Sequence, residues 1–304
     1  IIYKDKVDIL IDLSGHTANN RLGVFAYTPA PISATWLGYF ATTGLSEIDY
    51  FIGDKYVMAD EEEKNFVEKL YRLEHSWLCF PFPKSAPDVG TLPALQNKFI
   101  TFGCFGNLSK VNDEVIALWS KTLLSVSNSK LFLKAHQLSD KLAYDSLVEK
   151  FKLHKIGIDR LILEGYSSMN EYFSSYNKID IVLDTFPYHG GTTSVDALYM
   201  GVPVLSLRGD RFLSRIGESI IHNINMKEWI AENKEEYIAK AIEFSLGSVS
   251  KRKELGVDFK QIGGLIIKSE IIDEKLISEY LENSTWIKES TDENSQTVWV
   301  YSFK

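Results

Sequence analysis

The chain has 304 residues, 45% of them apolar, 12% aromatic and 24% charged. That composition excludes a disordered or low-complexity chain. With 41 acidic against 33 basic residues and a net charge of -8, a broad nucleic-acid-binding face is not expected, because neutralising phosphates needs clustered Lys and Arg. Small basic sites for phosphate groups stay open. No run is long enough to span a membrane, and the N-terminal IIYKDKVDILIDLSG lacks the ordered regions of a signal peptide. Cys79 and Cys104 form neither a disulfide framework nor a CxxC pair. They read as buried structural thiols of a reducing, cytoplasmic compartment.

Residues 7–13 (VDILIDL) read as a buried strand ended by Ser14-Gly15. A short helix over 19–27 stops at Pro29 and Pro31, and strands follow at 33–39 and 48–54. Residues 57–97 lose periodicity, carry four prolines and an acidic run at Asp60 to Glu63, and read as a linker between domains. From residue 98 the pattern is regular. Strands at 99–104, 130–135, 160–165, 179–184 and 202–207 alternate with helices at 113–125, to 153, to 176, 192–200 and 213–222. Asn112 and Ser139 are the expected caps of the first two helices, and Ser168 with Glu171 forms a capping box for the third. The strands are apolar throughout, which predicts a parallel sheet covered on both faces. Residues 234–285 read as mostly helical, and the last twenty residues show no period. The expected organisation is 1–56 as part of a first lobe, 57–97 as the linker, 98–247 as a second lobe and 248–304 as C-terminal helices and tail. Periods of 20–50 residues are absent.

In an open parallel sheet, ligands bind beyond the carboxyl ends of the strands. That rule selects FGNLSK after 99–104, GYSSM after 160–165 and TFPYHGGTTSVD after 179–184. In the last loop, Gly190-Gly191 permits close backbone approach, and Thr192 and Thr193 open a helix whose N-terminus suits a phosphate. Asp196, one turn in, would repel a phosphate and fits sugar hydroxyls better. A plain helix start, with Asp196 serving the dipole, accounts for the same residues. Lys110, ending FGNLSK, is either a solvated surface lysine or a point charge for a diphosphate. Asp184 is expected to accept hydrogen bonds from its own loop. His189 reads as a satisfied loop histidine, and His16 lies at a strand's carboxyl end in the first lobe. Arg211 and Arg215 fit phosphate screening and a helix surface equally well. There is no GxSxG, P-loop, GxGxxG or D-x-D, so a nicotinamide dehydrogenase is disfavoured and neither a metal nor a cofactor is expected.

Three blocks, 7–50, 100–112 and 179–207, resemble in order and spacing the catalytic region of the O-linked N-acetylglucosamine transferase family and of the related SPINDLY-type O-fucosyltransferases. The likeness spans roughly residues 5 to 250. It implies a GT-B fold of two Rossmann-like lobes and inverting, metal-independent transfer of a sugar to Ser or Thr hydroxyls of proteins. Within the resemblance, Lys110 takes the position of the lysine that contacts the diphosphate, and Asn107 a nucleotide-contact position. Gly191, Thr192 and Thr193 fall at the phosphates and Asp196 at the ribose. The segments Ser167, Ser168 and Met169, and Tyr172 to Ser175, fall at the base. Tyr172 stands where the family usually has a histidine, and Met169 where animal members have a basic residue. The resemblance also implies tetratricopeptide repeats and the start of the first lobe upstream of residue 1, so that the first lobe is truncated here. The expected activity is transfer of N-acetylglucosamine from UDP-N-acetylglucosamine, with Lys110 and His16 catalytic. A GDP-fucose-dependent transferase and a catalytically silent nucleotide-sugar-binding module are the alternatives.

Overall fold

A computed structural model describes residues 1–80 and 86–255. The chain divides into two compact units, the first holding Ile1–Cys79 and Arg211–Leu213, the second Phe80–Asp210 and the described residues from Ser214 onward.

The first unit contains β1 (Ile9–Asp12), α1 (Leu22–Phe25), β2 (Ile32–Trp36), β3 (Tyr50–Asp54) and β4 (Lys69–Leu73). The strands are parallel, in the order β1-β2-β3-β4. Val7, Leu10, Leu22, Phe25 and Ile48 form a buried apolar cluster. Buried carboxylates tie down the loops: Asp12 accepts from the Ser14 and Gly15 amides at 3.2 and 2.8 Å and from Thr35 Oγ1 at 2.8 Å. Asp54 accepts from the amides of Tyr56, Val57 and Trp77 at 2.8, 3.0 and 2.9 Å.

Three expectations are corrected in this unit. The segment 57–97 is not all linker, because β4 pairs with β3 over its full length. Its sequence KLYRL mixes charged and apolar residues at a sheet edge, with Leu70 its one fully buried residue, so no continuous apolar run announces it. Strand β1 alternates half-buried and buried residues rather than being covered throughout, since β2 is its one strand neighbour among the described residues. Cys79 is exposed, and only Cys104 is buried. Cys79 follows the buried Trp77 and Leu78, at the point where the chain leaves the core.

The second unit follows the expected alternation: α2 (Pro93–Asn97), β5 (Thr101–Cys104), α3 (Asp113–Ser125), β6 (Lys130–Lys134), α4 (Lys141–Leu153), β7 (Leu161–Glu164), α5 (Met169–Tyr176), β8 (Ile181–Leu183), α6 (Thr192–Tyr199), β9 (Val204–Leu207), α7 (Ile216–Asn223), β10 (Ile230–Ala231) and α8 (Lys234–Leu255). The sheet order is β10-β9-β8-β5-β6-β7, every pair parallel. The chain starts in the middle at β5, builds outward through β6 and β7, then returns to β8 and builds the other way. This is the doubly wound dinucleotide-type order, with its switch point between β5 and β8. All carboxyl ends therefore share one edge.

Local chemistry explains the helix starts. The Asn112 side chain accepts from Val115 N, and Asp113 and Glu114 occupy the first turn of α3. The Ser168–Glu171 capping box closes α5. Helix α4 is capped by Asp140, accepting from Ala143 N at 2.9 Å, and not by the expected Ser139. That residue ends a preceding 3-10 turn, and its Oγ accepts from Tyr166 N instead. Strand β10 is two residues long, too short for a periodic signal. The expected helical tail is realised to Leu255 in α8. Its continuation, the final tail and most of the 248–304 segment lie outside the described residues.

Candidate functional site

The loops after β5 and β8 flank the switch point of the second unit, and a direct bond joins them. Lys110 Nζ donates to His189 O at 2.8 Å and sits 3.7 Å above the centroid of the Tyr188 ring, a cation–π geometry. Burial lowers the Lys110 pKa, opposed chiefly by the charge of Asp184. A half-buried ammonium with one anchored N–H keeps further donors for an anion.

The loop that receives Lys110 is held from beneath. Asp184, 3% exposed, accepts from Gly190 N at 2.8 Å and from Ser206 Oγ at 2.7 Å, confirming its role as the loop's acceptor. An added Cβ at Gly190 would lie 2.4 Å from Ser194 Oγ and 2.8 Å from Thr193 Oγ1, so both hydroxyls would have to move. His189 is wholly buried. Leu207 O can only accept, so Nε2 carries the proton in their 2.9 Å bond, and Nδ1 accepts from Gly217 N at 3.0 Å. Burial pushes the His189 pKa down, and with both ring nitrogens committed the imidazole is a neutral bracket. Asn112 joins the same frame, donating from Nδ2 to Phe186 O at 2.9 Å.

Helix α6 starts at Gly191 with no side-chain cap. The amides of Ser194 and Val195 bond back to Gly191 O, which leaves the Thr192 and Thr193 amides for a ligand. Thr192 is exposed and Thr193 half-buried.

Asp196 is 5% exposed. Its Oδ2 accepts from the Tyr172 hydroxyl at 2.9 Å. Tyr172 OH also lies 2.9 Å from Tyr176 OH, which lies 3.1 Å from Thr193 O. Burial raises the Asp196 pKa to about 6, opposed by the Tyr172 bond. The Tyr172 ring packs against Phe105 at 5.9 Å between centroids.

The structure thus brings Lys110, Gly191, Thr192, Thr193, Asp196 and Tyr172 onto linked loops and helices of one unit. Asn107 stands exposed on the β5 loop, accepting from Ser109 N at 2.9 Å and Gln137 Nε2 at 2.7 Å. Ser167 and Ser175 line a cavity of about 420 Å³ beside α5, which also contains Lys134, Glu164 and Lys178. Burial favours the neutral form of Glu164, but the 2.7 Å bond from Lys134 and the nearby Lys178 outweigh it and hold its pKa low. Ser168 is committed to the capping box, and Met169 is exposed. Arg215 Nε donates to Gly209 O at 3.1 Å, an anchor within the backbone. His16 belongs to the first unit. It is exposed, edge-on to Tyr39 at 5.4 Å, and follows Gly15, whose φ of +52° and closeness to Tyr39 Cβ exclude a side chain. Sequence reasoning missed Tyr188, whose ring supports the ammonium, and Tyr176, which backs Tyr172. The i, i+4 spacing of the two tyrosines on a helix was the available signal for the second.

The sequence profile described as Glycosyl transferase family 41 matches residues 1–81 and 91–260. A Hordeum vulgare protein named "Probable UDP-N-acetylglucosamine--peptide N-acetylglucosaminyltransferase SPINDLY" is 38% identical over 290 residues, covering 93% of this chain and 30% of that protein. The Arabidopsis thaliana protein of the same name is 37% identical over 249 residues, covering 81% and 27%. The solved structure of a mutant Thermobaculum terrenum O-GlcNAc transferase superposes with a TM-score of 0.80 at 34% identity, covering 92% of this chain and 52% of that one. A Rickettsia africae glycosyltransferase, at 13% identity and a TM-score of 0.52, shares the fold alone. The α/β architecture with two parallel sheets is that of the GT-B glycosyltransferases. The chain spans about 30% of the length of the curated SPINDLY relatives.

Proposed function

The chain belongs to glycosyl transferase family 41, and on that premise we propose that it is the nucleotide-sugar-binding and catalytic portion of a protein O-glycosyltransferase that uses UDP-N-acetylglucosamine. The sugar passes to a Ser or Thr hydroxyl of a protein by direct displacement at the anomeric carbon, with inversion and without a metal. The observation that carries this reading is the Lys110 ammonium fixed on His189 O beside the uncapped start of α6.

Negative charge grows on the departing diphosphate as the glycosidic bond breaks. Lys110 and the Thr192 and Thr193 amides are donors placed before the reaction begins, so little reorganisation is needed when that charge develops. Asp196 accepts from the ribose hydroxyls, Asn107 contacts the nucleotide, and the Ser167–Ser175 segment holds the base. His16, on the first unit, is proposed as the second catalytic residue.

The test is a thermal-shift panel of UDP, GDP, UDP-N-acetylglucosamine and GDP-fucose. A ligand at 100 times its dissociation constant stabilises by about 2.7 kcal/mol. Stabilisation by uridine and not guanosine nucleotides supports the reading, and the reverse result replaces it with a GDP-fucose-dependent transferase. Binding without transfer to a Ser/Thr peptide leaves a silent binding module. No response to any of the four overturns all three.

A further inference from the structure

Asp196, Tyr172, Tyr176 and Thr193 O form a line of four oxygens joined by three contacts of 2.9, 2.9 and 3.1 Å. Each tyrosine hydroxyl has one proton to donate, and a backbone carbonyl has none. With Asp196 ionised, two protons serve three contacts and one contact stays unmade. With Asp196 protonated, the carboxyl donates to Tyr172, Tyr172 to Tyr176 and Tyr176 to Thr193 O, and every contact is a hydrogen bond. The line is therefore one proton short in its ionised form.

The surroundings do little to offset that shortage. From α5, Tyr172 and Tyr176 face the carboxylate. From β5, Cys104 acts on the two tyrosines, and burial pushes its thiol pKa up to about 12, so it stays neutral. Among the described residues the Asp196 carboxylate accepts one hydrogen bond, from Tyr172, and none from an ammonium, guanidinium or backbone amide. Burial raises the Asp196 pKa, and the bond donated by Tyr172 opposes part of that rise.

Resting on the nucleotide-sugar reading above, we propose that Tyr172 is a positioning residue that acts through its hydroxyl, and that the buried Asp196, at the end of the Tyr172–Tyr176 line, carries a proton which the ribose diol of a nucleotide displaces on binding. A diol donates two hydrogen bonds and needs the carboxylate as acceptor, so the acid must lose its proton. That proton goes to the buffer, and the diol keeps its own. Tyr172 then donates to Oδ2 and the diol takes the remaining acceptor sites. In this role the Tyr172 ring, which packs on Phe105, is a support and the phenol oxygen does the positioning.

The test is calorimetric titration of the 304-residue chain with UDP between pH 5 and 8, in two buffers of different ionisation enthalpy. Proton release should approach one per UDP at pH 5 and fall toward zero by pH 7.5. Affinity should drop up to tenfold per pH unit below about 6. Tyr172→Phe keeps the ring and should bind UDP about five- to tenfold more weakly at pH 7.5. Tyr176→Phe removes two hydrogen bonds from the protonated form and one from the ionised form, so the midpoint of proton release should move to lower pH. Asp196→Asn should bind weakly and retain only the proton release of UDP's own terminal phosphate, whose last ionisation lies at about pH 6, and the release expected of the parent is the excess over that variant. If the parent binds UDP without releasing a proton at pH 5, or if Tyr172→Phe binds as the parent does, this proposal is overturned and the nucleotide reading stands. If the parent binds no uridine nucleotide at any pH, the nucleotide reading falls and takes this proposal with it.

Discussion

Asp184 and Asp196 stand at the two ends of one loop–helix segment, and both are almost hidden from solvent. Asp184 is satisfied by donors, a backbone amide and a serine hydroxyl. Asp196 has a single phenol. The two helix starts nearby differ in the same way, since α5 closes its first turn with Ser168 and Glu171 while α6 begins at a glycine with no cap. Groups that serve the fold are satisfied by the fold. Those left short of partners, Asp196 and the first amides of α6, are where the proposed nucleotide would complete the bonding.

The largest expected effect tests the catalytic half of that contrast. Lys110→Met should cost on the order of 3 kcal/mol in turnover with a much smaller loss of nucleotide-sugar affinity, because the charge it meets grows in the transition state. Single-turnover rates and calorimetry on the same variant separate the two, and equal losses in both would break the assignment.

Asp184→Ala should strike stability instead. It strands the Gly190 amide and the Ser206 hydroxyl in the interior, at about 2–3 kcal/mol, visible as a melting temperature lower by roughly 5–10 °C. A variant that melts with the parent would remove Asp184 from the frame.

At Asp196 the sign reverses. Its folded pKa, about 6, lies above the ordinary 3.8. Its contribution to stability is therefore complete below about pH 4 and is lost as the pH rises through 6. Asp196→Asn should melt with the parent near pH 4 and above it at pH 7.5, by about 1–3 kcal/mol, while binding UDP about 1–3 kcal/mol more weakly. A variant less stable than the parent at pH 7.5 would place Asp196 with Asp184 as a structural acid.

Ser168→Ala, the smallest change, should cost about 1 kcal/mol of stability through loss of the cap. It should leave the pH dependence of UDP binding unaltered, and a shift in that profile would tie the cap to the site.

Much of this organisation was legible in the sequence because it rests on local rules. Asn112 as a cap, the Ser168–Glu171 box, the buried strands and the glycine loop at a strand end each depend on a few neighbouring residues. The same locality failed at β4, whose place in the sheet is fixed by β3 nineteen residues earlier in register and not by its own pattern. Ser139 and Asp140 are both good caps, and the competing demand of Tyr166 N on Ser139 decides between them. Lys110 was singled out by its loop on the same sheet edge, and the remaining site residues beyond the glycine loop came from the resemblance. Their couplings, Lys110 to His189 O and Tyr172 to Asp196, span 79 and 24 residues, a distance over which spacing carries no signal.

The switch point between β5 and β8 also bears on heredity. The ammonium and the loop it grips leave the two central strands, whose positions the whole sheet fixes. The residues proposed to face the nucleoside sit mainly on α5, a crossing that starts from the edge strand β7. Substitutions on α5 can change which donor is accepted without disturbing the charge clamp. If the proposed roles hold, a lineage built on this plan would exchange one nucleotide sugar for another by drift on a single helix while its leaving-group chemistry was inherited intact.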